Sequence, residues 1–457
     1  MRIIVCVRQG LDGEISPFDA CAYEAALQQK NAEIILLSMG PASVEDFLVR
    51  LTRLGASKAV LLTDKKFAGA DTLATAYTLS MAIKKLEPDL VFCGRQTLVG
   101  DTGQVGPMIA SMLSFGLITN AMTVSADAQA VRCTTRSEGE LSSSYPAVVT
   151  VERINKLRLP SLRSRIAECI VWSAEDIKAD SARIGLVGSP TRVLETFENK
   201  EGKRRCEFIS RDRLNGIIET LLTTDQKHNT EDSDDGVKLP TVLCVGLEPL
   251  KYAKMICDDP EIVSVSSAEE IISVIANRYP DAVIFGSDDK SKALAATVSA
   301  KLSLGLCADC TLLKTNGNKV TMYRPALSGS IIARIESLTR PCLATVRTTT
   351  SNVSDIVVAV GYGAKDKIEA VTKFAEGLNA DLAATRKVVD NDILPYSFQV
   401  GLTGRSVSPK IYIAIGVSGA VHHIAGMQRS GTVIAINPDK NAPIFDYADY
   451  GILEEFN

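Results

Sequence analysis

The chain has 457 residues, 46% of them apolar and 23% charged, which is room for about three ordinary domains of a globular protein. Against 54 Asp and Glu there are 50 Lys and Arg, a net charge of −4, so no basic excess exists to neutralise phosphates and a nucleic-acid surface is excluded. No apolar run approaches the roughly 18 residues of a membrane span, and Met1-Arg-Ile-Ile-Val-Cys-Val7 has neither a basic leader nor a cleavage site; membrane insertion is not expected, and a cytoplasmic location is.

Met1 to Val7 predicts a strand, and beyond it three blocks recur in the same order. Pro88-Asp-Leu-Val-Phe-Cys-Gly94 returns as Pro280-Asp-Ala-Val-Ile-Phe-Gly286, and Phe115-Gly-Leu-Ile-Thr-Asn120 as Leu304-Gly-Leu-Cys-Ala-Asp309. Tyr145-Pro-Ala-Val-Val-Thr-Val151 returns as Arg340-Pro-Cys-Leu-Ala-Thr-Val346. Ordered blocks at a nearly constant separation indicate a duplicated α/β unit, not a short-period solenoid.

The copies diverge between the first two blocks. In the first, Gly94-Arg-Gln-Thr-Leu-Val-Gly-Asp-Thr-Gly-Gln-Val-Gly-Pro107 leads into helical Met108-Ile-Ala-Ser-Met-Leu113; in the second, Gly286-Ser-Asp-Asp-Lys-Ser-Lys292 lacks the glycines. A strand, a glycine-rich loop and a helix start present free N–H groups to an anion, so the first copy is expected to bind a nucleotide and the second none. The loop is neither a Walker A sequence nor a dinucleotide Gly-x-Gly-x-x-Gly.

Glu152 to Arg165 is basic, non-periodic and tipped by Leu159-Pro-Ser-Leu162, as a solvated loop or as an interface with an apolar anchor and a charged rim. Thr223 to Leu239 is polar without an apolar period and predicts a linker, and a second polar break spans Thr348 to Ser354. The expected domains are 1–223, a linker at 224–239, 240–348 and 349–457. The 11 cysteines sit mostly in apolar segments as small buried hydrophobes, and disulfides are not expected. Cys307-Ala-Asp-Cys310 has the spacing of a redox dithiol or half a metal site, but no second cysteine pair and only three histidines accompany it, so no metal is predicted.

In the last sixty residues, short apolar runs at Ile411 to Ile415 and Val433 to Ile436 predict buried parallel strands. Gly416-Val-Ser-Gly419 ends the first run with small residues that would let a backbone approach a ligand, with the Ser418 hydroxyl and then His422 and His423 at a helix start.

With Gln399-Val-Gly-Leu-Thr-Gly404, Ala383-Ala-Thr-Arg386 and Asn441-Ala-Pro-Ile-Phe-Asp-Tyr447, this segment resembles the alpha subunit of electron transfer flavoprotein. The resemblance implies an FAD site, with Thr385 and Arg386 over the isoalloxazine and Gln399, Val400, Gly401, Leu402, Thr403 and Gly404 along the flavin and ribityl chain. Ser418, Gly419, His422 and His423 would face flavin or pyrophosphate, Asn437 the linking region and Glu455 the adenosine end. Tyr362, in Val360-Gly-Tyr-Gly363, stands where the family usually has arginine, and Leu402 where it usually has glutamine.

Residues 1 to about 223 resemble the beta subunit of the same family through Ser16-Pro-Phe-Asp19, Ser38-Met-Gly-Pro41, Phe67 to Thr75 and Gly185-Leu-Val-Gly-Ser-Pro-Thr191. This implies AMP or a second FAD at Cys6, Ser16, Met39, Asp71, Thr72 and Thr75, and along the loop at Gly100, Asp101, Thr102, Gly103, Gln104, Val105 and Gly106. Leu159, Pro160 and Leu162 match the loop that anchors a leucine into an acyl-CoA dehydrogenase partner. The 240–348 segment begins late against the alpha subunit, as if without its initial strand and helix. The expected fold is thus α/β, two homologous parallel-sheet domains like adenine nucleotide hydrolases plus a doubly wound FAD-binding domain, in a natural beta–alpha fusion. Its expected function is electron carriage by FAD between a flavin dehydrogenase and an acceptor protein, without substrate chemistry of its own. The alternatives are an NADH-oxidising, electron-bifurcating flavoprotein with a second FAD, and, more remotely, a non-redox adenine-nucleotide-binding regulatory protein.

Overall fold

A computed structural model describes residues 1–10, 12–97, 100–135, 138–152, 156–198, 203–223, 236–327, 331–347, 354–401 and 404–456. They form two compact units, the first from the described residues within Met1–Thr196, Asp235–Leu327 and Ala333–Arg347, and the second from those within Phe197–Asp234, Ser328–Ile332 and Thr348–Asn457.

The first unit holds both copies of the repeat. β1 (Arg2–Cys6), β2 (Glu33–Met39), β3 (Lys58–Leu62), β4 (Leu90–Gly94), β5 (Gly116–Ala126), β6 (Ala130–Thr135), β7 (Gly139–Ser144), β8 (Ala147–Val151) and β9 (Cys169–Trp172) make one sheet. Its order is β7-β6-β5-β8-β4-β1-β2-β3-β9, parallel except at β6 and β7. Its inner strands are unbroken apolar runs because helices cover both faces: Ile3, Ile4 and Val5 of β1 are all fully buried.

After β10 (Thr191–Glu198) and β11 (Glu207–Phe208) come the strands of the second copy: β12 (Val242–Val245), β13 (Glu261–Val263), β14 (Ala282–Phe285), β15 (Leu306–Cys310), β16 (Leu312–Thr315), β17 (Val320–Ala326), β18 (Ile331–Ser337) and β19 (Cys342–Val346). The order β13-β12-β14-β19-β15 reproduces β2-β1-β4-β8-β5, and β10, β18, β17 and β16 form a separate small sheet. Against the first copy, the second does have counterparts of the first strand and its helix; what it lacks is β3 with the helix Glu45–Thr52. Even an irregularity is duplicated. Asn120 and Asp309 both adopt φ above +50°, both sit at a register shift, and both donate their N–H at 2.9 Å to a threonine hydroxyl, Thr150 and Thr345. The helices Val105–Leu113 and Asp289–Leu302 bring the copies together, so that Met108 and Ile109 share a core with Ala295, Ala296 and Val298.

In the second unit β20 (Ile356–Val360), β21 (Asp381–Ala384), β22 (Ile411–Ile415), β23 (Thr432–Ile436) and β24 (Tyr450–Ile452) run parallel in the order β11-β24-β23-β22-β20-β21. Alternate residues feed opposite faces: Ile411, Ile413 and Ile415 enter one core, Tyr412 and Ala414 the other. The edge strand β11 comes from the segment after β10. Arg204 anchors that segment by donating to the carbonyls of Ser430 at 2.6 Å and Gly431 at 2.8 Å and by pairing with Asp449, while Leu214 and Ile218 of the helix Leu214–Thr223 enter the core. Two parallel-sheet copies and a doubly wound carboxy-terminal domain are the α/β architecture expected from the sequence.

Candidate functional site

In a doubly wound sheet ligands bind outside the carboxyl ends of the strands, where the strand order reverses. In the second unit that point lies between β20 and β22. Tyr362 follows β20; Thr385 and Arg386 follow β21; Ser418, Gly419, His422 and His423 follow β22; Asn437 follows β23 and Glu455 follows β24. Gln399, Val400, Gly401 and Gly404 reach the same edge because the Val400 N–H donates to the Ala384 carbonyl at 3.0 Å, beside the end of β21. Leu402 and Thr403 lie outside the described residues.

These residues divide by role. Arg386 is largely buried, pairs through Nε with Asp390 at 3.2 Å, and has a buried Nη2 with no partner. Such an orphaned donor is what a polar ligand atom would satisfy. Burial, and then the neighbouring Arg386, hold the His422 imidazole below its ordinary range. Ser418 and Glu455 are exposed. The Tyr362 ring, in the place of the expected arginine, carries the ammonium groups of Lys387 and Lys365 at 4.2 and 4.9 Å.

His423 departs from its expected role. It is buried, with Nδ1 3.0 Å from the Val400 carbonyl and Nε2 3.0 Å from the Tyr412 hydroxyl. A carbonyl only accepts, so Nδ1 carries the proton and Nε2 accepts from Tyr412. Neither ring nitrogen is left for a ligand, and His423 instead holds the turn that begins at Gln399. Burial pushes its pKa down to about 4. Asn437 also faces the protein, donating to the Val417 carbonyl at 2.9 Å and accepting from the Asp439 N–H at 2.9 Å. Gly416 (φ +63°) and Gly419 (φ +89°) admit the backbone of Gly363–Ala364 and of Pro443–Ile444 respectively, so the room expected for a ligand at these two positions is filled by the chain itself.

The first unit has a cavity of about 550 Å³ at the carboxyl ends of β1, β2 and β4, where the order reverses between β1 and β4. That volume suits a small-molecule ligand. Cys6, Met39, Asp71, Thr72, Thr75, Gly100, Thr102, Gly103, Gln104, Val105 and Gly106 line it, whereas Ser16 and Asp101 are buried without forming part of its wall. Asp71 is engaged within the protein: Oδ1 caps the helix Thr72–Leu86 by accepting from Leu73 and Ala74 N–H, and Oδ2 accepts from the Thr191 N–H and hydroxyl. Thr72 donates to Gln104 Oε1 at 2.9 Å, and the Gln104 Nε2 is buried without a partner.

Asp19, Gln96 and Arg324 are among the wall residues that were not predicted. Asp19 accepts from the Arg8 N–H at 2.9 Å, and burial pushes its carboxyl up to about 7 against the hydrogen bonds from Arg8 and Gly94. Gln96 has a buried Nε2 without a partner, and Arg324 arrives from the second copy. Gln96 stood inside the glycine-rich stretch and was legible there; nothing local marks Arg324.

Leu159, Pro160 and Leu162 project fully, the two leucines 89% and 103% exposed. Their loop is pinned at its base by Arg158, whose guanidinium grips Glu24 at 2.7 to 3.2 Å while its N–H donates to the same carboxylate. Cys307 and Cys310 are buried in β15, and none of the 11 cysteines is in a disulfide. Among the described residues no cluster of three His, Cys, Asp or Glu side chains could hold a metal, and no helix is long and apolar enough to cross a membrane.

Two protein families match this chain. The Electron transfer flavoprotein domain covers residues 3–177 and 260–375, and the Electron transfer flavoprotein FAD-binding domain covers 352–428. Among relatives, Protein FixA of Azorhizobium caulinodans is 41% identical over 211 residues, 42% of this chain and 75% of that protein. Electron transfer flavoprotein subunit beta of Clostridium acetobutylicum is 38% identical over 216 residues, 45% and 83% respectively, and that of Megasphaera elsdenii 39% over 212, 42% and 78%.

Proposed function

The chain belongs to the electron transfer flavoprotein family, a beta-like amino-terminal part continuing into an FAD-binding domain, and from that premise we propose that it is a one-chain electron carrier. It takes electrons from a flavin dehydrogenase of the acyl-CoA dehydrogenase type and passes them to an acceptor protein. The observation that carries this reading is the convergence of Arg386, His422, Tyr362 and the turn from Gln399 on the crevice between β20 and β22. Bound there, FAD supplies the redox chemistry by reversible reduction of its isoalloxazine ring. Arg386 offers its unpartnered Nη2 to the ring's polar edge, His423 keeps Val400 and Gly401 in place from behind, and Lys365 and Lys387 around Tyr362 add positive charge near the position where the family's arginine would stand.

We read 1–223 as the beta-like part with its arm, 224–239 as linker, of which 224–235 lies outside the described residues, 240–348 as the alpha-like copy and 349–457 as the FAD-binding domain. The 550 Å³ cavity is read as the site of a second adenine nucleotide, and Leu159 as the anchor for the dehydrogenase. Eleven cysteines with no disulfide among them favour a reducing compartment, the cytoplasm. The bifurcating alternative stays in view because the cavity has room for more than a lone phosphate.

Denaturing the purified chain and identifying the released nucleotides by mass spectrometry tests these readings together. One FAD with one AMP is the carrier's expected content; two FAD, with NADH bleaching the flavin, would replace it by bifurcation. A colourless protein that takes up no FAD would overturn both.

A further inference from the structure

We infer that Arg324, carried by the second copy, is the counter-ion of the nucleotide phosphate in the first copy's cavity, so that one site is built from both halves of the duplication; this rests on reading that cavity as a nucleotide site. Arg324 lies on β17 and is only 5% exposed. Its Nη2 donates to the carbonyls of Gly100 and Asp101 at 2.8 and 3.1 Å, and its Nε to the Pro325 carbonyl at 3.2 Å. These bonds fix the glycine-rich loop, but the charges around it do not cancel: Arg324, Arg347 and Lys292 all act on the carboxylates of Asp101 and Asp309, three cations against two acids. Among the described residues no carboxylate forms an ion pair with Arg324; nearby Asp309 is taken by Lys292 at 2.9 Å and Arg347 at 3.8 Å. A buried excess of positive charge is costly, and an anion in the adjoining cavity, beside Arg324, removes the cost.

The surroundings favour phosphate as that anion. Arg324, Gln96 and Gln104 share the cavity wall, and both amides are more than nine-tenths buried with Nε2 groups that meet no acceptor. The backbone N–H groups of Thr102, Gly103 and Gln104, just before the helix Val105–Leu113, likewise find no acceptor among the described residues. Several N–H donors around one fixed cation match the oxygens of a phosphate. The duplication therefore has not left the second copy a bystander: it binds no nucleotide in its own loop, yet supplies the charge for its sibling's.

The test uses the full chain stripped of its nucleotide and titrated with AMP and with adenosine. Arg324→Gln keeps an amide donor for the loop carbonyls but removes the charge, and Arg324→Lys keeps the charge. Arg324→Gln is expected to weaken AMP about tenfold to a hundredfold and leave adenosine unchanged, as for loss of a charged hydrogen-bond partner, with Arg324→Lys closer to the unaltered chain. An unaltered circular dichroism spectrum and denaturant midpoint of the full chain report that each variant is folded. Unchanged AMP affinity in Arg324→Gln, or an equal loss for AMP and adenosine, overturns the inference. If the unaltered chain binds neither ligand and releases no adenine nucleotide besides one FAD on denaturation, the cavity reading itself falls and takes this inference with it.

Discussion

At the scale of single residues the two electrostatic features of the FAD crevice make opposite demands. With FAD bound as proposed, the charge of Arg386, whose Nη2 is unpartnered, would interact chiefly with the negative charge that reduction places on the isoalloxazine edge. Arg386→Ala should therefore lower the flavin midpoint potential while FAD remains bound, and a potential equal to that of the unaltered chain would remove Arg386 from the flavin's surroundings. His423, by contrast, is held neutral, with a folded pKa of about 4 against an ordinary 6.5. Between those values the unfolded chain binds the proton and the folded one does not, so stability is intact above pH 6.5 and is lost as pH falls toward 4. From pH 7 to 5 the second unit should lose about 2 kcal/mol from this group. Denaturant-induced flavin release measured at the two pH values reports that unit alone, avoiding Asp19 in the first unit, whose raised pKa acts in the opposite direction. His423→Gln should flatten the dependence; an unchanged slope would assign it to other groups.

At the scale of elements, the loop tipped by Leu159 combines a fixed base with a free end. Arg158 and Glu24 restrain where it leaves the first copy, so a partner that binds the tip pays less ordering entropy than it would for an unanchored loop. Leu159→Ala should cost about 2 kcal/mol, roughly thirtyfold in affinity for the dehydrogenase, with the flavin spectrum untouched. Equal rates of partner-driven flavin reduction in the variant and the unaltered chain would free Leu159 of that role. Breaking the base with Arg158→Ala should weaken the same partner less, because the apolar anchor survives.

Over the whole molecule, the path of the chain matters more than any one contact. It builds the first copy, adds the segment with Arg204 and β11 to the second unit, returns for the second copy, and crosses again into the FAD-binding domain. Each half of the covalent chain thus contributes to both units: the arm to the carboxy-terminal sheet, and the second copy to the core around Met108 and Val298. A protease site placed within 224–235 and cut should yield fragments that still elute together from a sizing column in native buffer. Separation of the fragments without denaturant would mean that the arm and the shared core contribute little.

Much of this was legible in one dimension because it follows from local pattern. Apolar runs marked β1, β4, β22 and β23, the three repeated blocks marked the duplication, and the glycine-rich loop marked one wall of the cavity before any strand order was known. What local pattern cannot carry is the choice of partner for a buried polar group. His423 and Asn437 have the residue types of ligands, but folding brought Val400, Tyr412, Val417 and Asp439 within hydrogen-bond reach first. Gly416 and Gly419 promised space that other backbone segments fill. Arg324 is one arginine among many in the sequence and is given a site only because packing two copies face to face carries it to Gly100, 224 positions away. Periodicity and turn chemistry determine elements; the matching of buried donors, acceptors and charges is a property of the closed interior, and it was decided when the tertiary structure excluded water from them.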